Sequence, residues 1–298
     1  MPRQGEKIDA QNFAKSSLLV LNGDSLFTLY CKAHETCIRS ATFLPFPAKI
    51  MTLLQPEAFG LSDIGRLRMR NEDAWKIFYE QGLYVIADGI GGHNAGDLAS
   101  QTSIDLLEEW FSQDSSFSKL SIEDTGERLR ERFIEINSLI YEYGMSSREY
   151  FGMGTTLSAL AFRGEQWTIC HVGDTRVYLL RRGRLIQLTH DHTVARSMVA
   201  KGQLTDAEAR NTRFHHILTK AIGTDPSVSP DLYSGDLQHG DRFLLCTDGI
   251  SDMIEDGELK ELLSLSGSPE EICKVLIACG LRNGGHDNMT VLVIDHLP

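Results

Sequence analysis

The order of elements along the chain predicts an α+β fold, in which antiparallel sheets are covered by helices. Short alternating apolar segments, which are typical of strands, come in groups rather than singly between helices. Longer segments with apolar residues at helical spacing come in pairs. Tight turns such as Arg163-Gly164-Glu165 and Arg182-Gly183-Arg184 join successive strands, so neighbouring strands are expected to run antiparallel.

The predicted elements begin near Phe59 and follow one another closely. The first group holds a strand over 59–64, a hairpin over 75–79 and 83–88, and helices carried by residues 95–110 and 129–140. Four strands follow, over 155–162, 166–172, 176–181 and 185–188. A polar region over 190–230 contains short helices near 192–200 and 205–210. The series closes with a strand over 242–247, helices near 256–264 and 269–281, and a strand over 289–295.

Size and composition limit the domain organisation and the class of function. The 298 residues, 42% of them hydrophobic, suffice for one large domain or two small ones. No apolar run approaches the roughly 18–20 residues of a membrane span, so no membrane insertion is expected. The net charge of -12 argues against a nucleic-acid partner. The cysteines show no CxxC and no zinc spacing, which favours a cytoplasmic protein.

The first part of the chain differs from the rest. Residues 1–55 show no clear periodicity of apolar residues, and three prolines, Pro45, Pro47 and Pro56, lie near the end of this segment. We therefore predict a poorly ordered or loosely attached N-terminal extension over 1–55, followed by the main folded region over 56–298.

Short acidic motifs indicate the chemistry. Asp88-Gly89 and Asp248-Gly249 each follow an apolar run, while Asn71-Glu72-Asp73 and Asp287-Asn288 lie towards the two ends of the same region. An apolar run that ends in Asp-Gly places a carboxylate at the end of a buried strand. Each motif alone is more typical of a turn, but several carboxylates on rigid elements are what a hard divalent cation needs.

The glycine-rich stretch after Asp88 has a second interpretation, a dinucleotide-binding loop. Counted from Gly89, the G-x-G-x-x-G pattern has Asn94 where its last glycine should be, and no parallel strand with an acidic end follows. The metal interpretation uses the Asp88 carboxylate and glycine carbonyls as ligands. A plain strand-to-helix turn capped by Asp88 is the structural alternative.

Taken together, the motifs resemble those of the metal-dependent protein serine/threonine phosphatases of the PPM (PP2C-like) family in its bacterial form. The resemblance covers about residues 58–296, and the motifs follow the family's order. The matching stretches are Gly65-x-x-Arg68-x-x-Asn71-Glu72-Asp73, Ala87–His93, Gly152–Thr156, His171–Tyr178, Leu188-Thr189-x-Asp191-His192, Leu218–Gly223, Leu245–Ile250 with Asp252, and Asp287–Thr290.

The resemblance implies a four-layer αββα sandwich: two antiparallel sheets flanked by helix pairs, with a flap formed by 190–230. It also implies two Mn²⁺ or Mg²⁺ ions at one end of the sandwich, and a third, weaker one. In the resemblance, Asp88 corresponds to a carboxylate that bridges two metals, Gly89 to a carbonyl ligand, and Asp248 and Asp287 to ligands of the first metal. Glu72 and Asp73 correspond to a direct or water-mediated ligand and its support, and Asp174 and Asp252 to positions that serve the third metal. Arg68 corresponds to the phosphate-binding arginine and Thr156 to a supporting hydroxyl.

The implied reaction is hydrolysis of phosphoserine and phosphothreonine in proteins by metal-activated water, with a bacterial Ser/Thr kinase or its target as the expected partner. Two metals about 3.5–4 Å apart can activate and orient a shared nucleophile, so no covalent protein nucleophile is required. Consistently, no Gly-x-Ser-x-Gly elbow and no cysteine in a phosphate loop occur. A catalytically silent phosphopeptide binder and a small-molecule phosphatase are the two rival interpretations.

The chain departs from eukaryotic members of the family after the first Asp-Gly step, where those proteins carry a histidine proposed as the general acid. Ile90 stands there. The remaining candidates are water on the metal and another histidine, of which His93 is nearest in sequence. His171 is predicted to face the core or to support the site, and the histidines at 190, 192, 215, 216 and 286 are interpreted as loop residues.

The flap carries basic residues that suit contact with an acidic phosphoprotein. They are Arg196, Lys201, Arg210 and Arg213. A solvated loop with helical turns is an equally good interpretation of the same residues.

Overall fold

The computed structural model describes residues 17–22, 25–30, 56–91, 95–210 and 212–296. The contacts within the chain divide it into two units, Met1–Leu54 and Gln55–Pro298. In the first unit, β1 (Ser17–Asn22) and β2 (Ser25–Tyr30) form an antiparallel pair that the sequence analysis did not predict. The predicted extension over 1–55 otherwise falls outside the described residues and stays a prediction, as does the boundary at residue 56.

The second unit contains a six-stranded and a five-stranded sheet, and every strand pairing within them is antiparallel. The six-stranded sheet has the order β11-β8-β7-β5-β4, with β6 paired to the end of β5. Its strands are β4 (Asp73–Phe78), β5 (Leu83–Ile90), β6 (Gly154–Thr155), β7 (Leu157–Arg163), β8 (Gln166–Val172) and β11 (Asp231–Asp236). The five-stranded sheet has the order β10-β9-β12-β13-β3. Its strands are β3 (Glu57–Asp63), β9 (Arg176–Arg181), β10 (Arg184–Gln187), β12 (Asp241–Cys246) and β13 (Met289–His296).

Helices cover the outer face of each sheet. The long helices α1 (Gly96–Gln113) and α2 (Ile122–Met145) pack on the six-stranded sheet. The five-stranded sheet is covered by α6 (Asp256–Leu263) and α7 (Pro269–Arg282). Three short helices complete the described set: α3 (Val194–Ala200), α4 (Asp206–Arg210) and α5 (Asp248–Ser251). No helix in the described parts of the chain combines the length and apolar character that a membrane crossing requires.

The central strands are buried on both faces, which explains their nearly continuous apolar runs. In β5, Val85 faces the helices while Tyr84 and Ile86 face the other sheet. In β12, Leu244 faces the helices and Leu245 faces the other sheet. Because side chains alternate along a strand, each such strand contributes to two apolar layers. The result is three stacked cores between four layers, which confirms the predicted αββα sandwich.

The hairpin turns follow the prediction closely. Arg181 and Arg184 pair across a two-residue loop whose members, Arg182 and Gly183, have φ of 50° and 71°. Positive φ at both positions is the type I′ geometry that matches the twist of the flanking strands. The tight turn therefore fixes the register of β9 against β10.

Within the second unit, β11 and α5 were not predicted from the sequence. β11 pairs with β8 at the sheet edge, but its residues, Asp231–Asp236, are half-buried or exposed and carry no clear alternation. α5 spans four residues directly after β12, too few for a helical period to be read. The predicted flap, 190–230, contains α3 and α4. An isolated bridge of Thr193 to Leu218 closes it internally, and one of Thr155 to Ile222 joins it to β6.

Candidate active site

One end of the sandwich collects the predicted acidic residues. Asp73 at the start of β4 lies directly opposite Asp88 near the end of β5. Asp248 follows β12 as the first residue of α5, and Asp287 stands just before β13. Asp174 lies in the turn between β8 and β9. Antiparallel pairing brings these strand ends together although they are far apart in sequence.

A cleft of about 910 Å³ opens over this end. Eight of the predicted site residues line it: Arg68, Glu72, Asp88, Gly89, Thr156, Asp174, Asp248 and Asp287. The other lining residues are Ile90, Gly91, His216, Leu218, Thr219, Lys220, Ala221, Thr224 and Asp225. Asp73 and Asp252 do not line it. His93 lies outside the described residues, so its predicted candidacy as the acid is not addressed.

Asp73 lies beneath the cleft, and only one of its two carboxylate oxygens is hydrogen-bonded within the described residues. Its Oδ2 accepts hydrogen bonds from Thr290 Oγ1 at 2.6 Å and Thr247 Oγ1 at 3.0 Å. Its Oδ1 is buried and has no hydrogen-bond partner among the described residues. Burial, opposed by the two hydroxyls and reinforced by the charges of Asp248 and Asp287, raises the pKa of Asp73 to about 7. A buried oxygen without a partner is costly unless a ligand satisfies it.

Asp88 and Asp174 also have raised pKa values. Burial first, and then the charge of Asp73, holds the pKa of Asp88 well above its ordinary value. Burial and the charge of Asp248 do the same for the pKa of Asp174. Within the described residues, no arginine or lysine forms an ion pair with Asp73, Asp88 or Asp174. The negative charge is therefore concentrated, and no ion pair to an arginine or lysine offsets it directly.

The backbone around Asp88 is rigidly placed. The Asp88 amide donates to Thr156 Oγ1 at 2.9 Å, and the Thr156 amide donates to the Asp88 carbonyl at 2.8 Å. Gly89 donates to the carbonyl of Glu72 at 3.0 Å. A Cβ at Gly89 would lie 2.2 Å from the carbonyl oxygen of Gly96, so only glycine fits. Thr156 thus supports Asp88 through its main chain, in keeping with the supporting hydroxyl implied by the resemblance.

Arg68 and Asp287 form the ion pair at the mouth of the cleft. Arg68 Nη2 donates to Asp287 Oδ2 at 2.6 Å, and this hydrogen bond raises the pKa of Arg68. The Arg68 side chain is 51% exposed, so its remaining donors face solvent. Glu72 lies nearby, and burial raises the pKa of its carboxyl against the opposing charge of Arg68.

Asp252 contacts two histidines that were interpreted only as loop residues. His215 Nε2 lies 2.8 Å from Asp252 Oδ1, and His216 Nδ1 lies 3.5 Å from both Asp252 Oδ2 and Asp248 Oδ2. A hydrogen bond to Asp248 raises the pKa of His216 to about 9. One ligand atom from each of His215, His216 and Asp252 lies within 4.8 Å of the others, so this group could hold a cation. No sequence signal links the flap to Asp248 and Asp252.

The flap cations are partly neutralised. Arg196 pairs with Asp206 within the flap, and Arg210 pairs with Asp256 at the start of α6 at 2.9 Å. Lys220, which lines the cleft, pairs with Asp231 at 2.9 Å. These pairs anchor the flap to the sandwich and leave less free positive charge than the sequence suggested.

The donor set fits Mn²⁺ or Mg²⁺. The cleft offers carboxylate oxygens and the main chain of Gly89, and hard divalent cations prefer oxygen ligands. A bound cation would satisfy the unpartnered Oδ1 of Asp73 and would lower the raised pKa values of Asp73, Asp88 and Asp174.

A family model described as Protein phosphatase 2C matches residues 66–282, which include the acidic motifs through Asp252. This chain belongs to the protein phosphatase 2C family. The serine/threonine phosphatase stp of Listeria welshimeri is 35% identical over 237 residues, covering 78% of this chain and 93% of its own. The phosphatase PstP of Mycobacterium tuberculosis is 37% identical over 234 residues, covering 78% of this chain and 44% of its own.

Solved structures of the protein phosphatase 2C type superpose on the fold. Stp1 from Staphylococcus aureus has a TM-score of 0.77 at 36% identity, covering 80% of this chain and 94% of that one. The catalytic domain of PstP in complex with two manganese ions has a TM-score of 0.71 at 34% identity, covering 80% and 97%. The predicted family, fold, enzyme class and Mn²⁺ or Mg²⁺ dependence are thereby confirmed. This phosphatase acts on phosphorylated proteins.

Proposed function

We propose that this phosphatase hydrolyses phosphoserine and phosphothreonine in proteins phosphorylated by a bacterial Ser/Thr kinase, and that it does so in the cytoplasm. The observation that carries the site assignment is the convergence of Asp73, Asp88 and Asp174, three carboxylates that form no ion pair with an arginine or lysine of the described residues, at a cleft with Arg68 at its mouth. The similarity to bacterial serine/threonine phosphatases supports the substrate class.

The metal centre is assigned to the acidic strand ends. Asp88, Gly89, Asp248 and Asp287 would hold two Mn²⁺ or Mg²⁺ ions, with Glu72 and Asp73 as further or supporting ligands. Asp174 and Asp252 would serve a third, and His215 and His216 stand beside Asp252. Bound ions of this type supply Lewis acidity and activate water for in-line attack on phosphorus.

The protein's own residues supply position and charge. Arg68 presents its free guanidinium donors to the phosphate oxygens, a task that suits its planar fork. Asp287 orients that guanidinium through the 2.6 Å hydrogen bond. Thr156 holds the Asp88 main chain from both sides, and Thr247 and Thr290 hold the Asp73 carboxylate. Ile90 lines the cleft and has no proton to transfer.

The test is manganese-dependent release of phosphate from a phosphothreonine peptide, with and without Asp88→Asn. We expect the substitution to lower the rate about a thousandfold, because a metal contributes several kcal/mol and each ~1.36 kcal/mol is tenfold. Asp105→Asn, on the exposed face of α1, is the matched control and should retain full activity. Equal rates for Asp88→Asn and the wild type, or no activity in either, would refute the proposed mechanism.

A further inference from the structure

A basic and apolar segment forms part of the rim beside Arg68. Residues 66–70 read Arg-Leu-Arg-Met-Arg, and all five are exposed. The Met69 side chain is 95% exposed and that of Leu67 is 68% exposed. Large apolar side chains displayed next to each other at an active-site mouth are typical of a binding surface. We call residues 66–70 the rim segment.

The rim segment is held rigidly at both ends. The buried Asn288 side chain donates from Nδ2 to the carbonyls of Ile64 at 2.9 Å and Arg70 at 2.8 Å. The Arg66 amide donates to the Gly285 carbonyl at 2.7 Å. The loop therefore presents Leu67 and Met69 to solvent in a fixed position, and their exposure is not that of a frayed terminus.

The rim segment is positively charged, whereas the whole chain carries a net negative charge. Three arginines fall within five residues of a chain whose net charge is -12. Arg68 pairs with Asp287, and Arg70 lies 3.7 Å from Asp97. Among the described residues, Arg66 has no carboxylate partner within ion-pair distance. A surface of this kind complements an acidic ligand with apolar side chains.

A further exposed apolar residue lies on the flap. Ile217 is 48% exposed and stands between His216 and Leu218, which both line the cleft. A peptide whose phosphorylated residue enters the cleft must carry its neighbouring residues over this rim. The cleft therefore has apolar contacts for flanking residues on the rim segment and on the flap.

We propose that the rim segment selects phosphoprotein substrates by binding the residues beside the phosphorylated one, favouring an apolar and an acidic side chain there. Leu67 and Met69 take the apolar side chain, and Arg66 takes the acidic one. The inference rests on the proposed function, since it names the substrates of the same site.

The test compares three substrates: p-nitrophenyl phosphate, a phosphothreonine peptide flanked by leucine and glutamate, and one of equal length flanked by serine and lysine. We expect the wild type to prefer the leucine–glutamate peptide by about tenfold in kcat/KM. The double variant Leu67→Ser/Met69→Ser should lose about fivefold on that peptide, and Arg66→Glu a similar factor, while hydrolysis of p-nitrophenyl phosphate is unchanged. Leu139→Ser, which replaces an apolar residue 50% exposed on α2, is the control and should change neither rate.

The outcomes separate the two proposals. Equal kcat/KM for the two peptides, or a preference that survives in the double variant, overturns the role of the rim segment and leaves the phosphatase assignment standing. Hydrolysis of p-nitrophenyl phosphate without hydrolysis of either peptide overturns the phosphoprotein assignment and this inference with it. Binding of wild type, but not of the double variant, to phosphatidylglycerol vesicles, with no peptide preference, would assign the segment to a lipid surface instead.

Discussion

The two ends of the β-sandwich both bury carboxylates, but the end away from the cleft pairs each of them with an arginine. Asp241 begins β12 and accepts from Arg181 at 2.5 and 2.8 Å. Asp295 faces Arg242 directly across β12 and β13 and accepts from it at 2.6 and 2.7 Å. These are bidentate, fork-to-carboxylate pairs, the geometry in which a buried charge is best satisfied.

At the cleft end Asp191 is paired with Arg176 in the same way, but Asp73, Asp88 and Asp174 have no such partner among the described residues. Asp73 and Asp88 face each other across β4 and β5, a like-charged cross-strand pair, and Asp174 adds a third negative charge. Like charges directly opposite in a sheet are destabilising. The contrast teaches that this fold can neutralise a buried carboxylate with its own arginines, as it does for Asp241, Asp295 and Asp191, but leaves the three carboxylates nearest the cleft without one. The cleft end lacks the positive charge that bound metal supplies.

The largest expected effect comes from breaking a pair at the far end. Asp295→Asn leaves the Arg242 guanidinium charged and only partly satisfied by the carbonyls of Leu263, Leu265 and Gly267. We expect a loss of about 3–4 kcal/mol in the free energy of unfolding, measured by urea denaturation. Glu270→Gln, which breaks an exposed pair with Lys274, should cost at most about 0.5 kcal/mol. Equal costs for the two variants would show that the buried Arg242–Asp295 pair is no more important to stability than an exposed one.

A second prediction concerns a buried group that avoids charge altogether. Burial lowers the pKa of His171 to about 3. Its ring lies against Ser158 Oγ at 2.8 Å and stacks on His192. The unfolded chain binds a proton near pH 6.5 that the folded protein does not, so stability is complete above about pH 6.5 and falls as the pH decreases.

At about pH 5 the expected loss from His171 is about 2 kcal/mol, at ~1.36 kcal/mol per pH unit. The measurement is urea denaturation of metal-free protein between about pH 5 and 7, for the wild type and His171→Gln. The variant should show a shallower slope over this range. Identical slopes would show that His171 is not held neutral in the folded protein.

A third prediction tests the arginine–carboxylate pair at the mouth of the cleft. Arg68→Ala should raise KM for a phosphopeptide about tenfold, since it removes charge-assisted donors to the phosphate. Manganese affinity should remain close to that of the wild type, because Asp287 keeps its carboxylate. Steady-state kinetics with a manganese titration measures both quantities. Loss of manganese binding would instead make the Arg68–Asp287 pair a structural one, like those at the far end.

The smallest expected effect has the opposite sign to the first. Asp174→Asn removes a buried charge that has no cation, so the metal-free protein should gain about 1 kcal/mol in the free energy of unfolding. Urea denaturation in the presence of a chelator measures the gain, which should shrink when manganese is added. A clear destabilisation of the metal-free protein would mean that the Asp174 carboxylate is satisfied within the fold, and the contrast between the ends would fail there.

Much of the fold could be predicted because most strands are recognisable from their own residues and the turns beside them. Apolar runs in β5 and β12 and the turn over Arg182-Gly183 depend on side-chain period and backbone φ, which neighbouring residues settle. β11 was missed since its place is set by pairing with β8 rather than by its own pattern.

The candidate site divides in the same way. Asp88 and Asp248 are recognisable as carboxylates at strand ends, and the family motifs name their companions. His216 reaches Asp248 only because the flap folds back over the cleft, so the residues around His216 do not predict that contact. Asn288 anchors the rim segment through Arg70 and Ile64, which are 218 and 224 positions away in the sequence, so this contact also depends on the fold.

The sequence by itself determined antiparallel sheets covered by helices and the acidic strand ends, because alternation and turn chemistry are properties of neighbouring residues. The order of its motifs carried the resemblance to the family, which in turn implied the sandwich. The tertiary structure alone decided which carboxylates are neutralised. Asp241 and Asp295 read in sequence like any other strand-end acid, yet each meets an arginine, whereas Asp73 and Asp88 meet each other. The physical reason is that the partner of a buried charge is chosen by strand register and sheet packing, and these are fixed between distant segments of the chain.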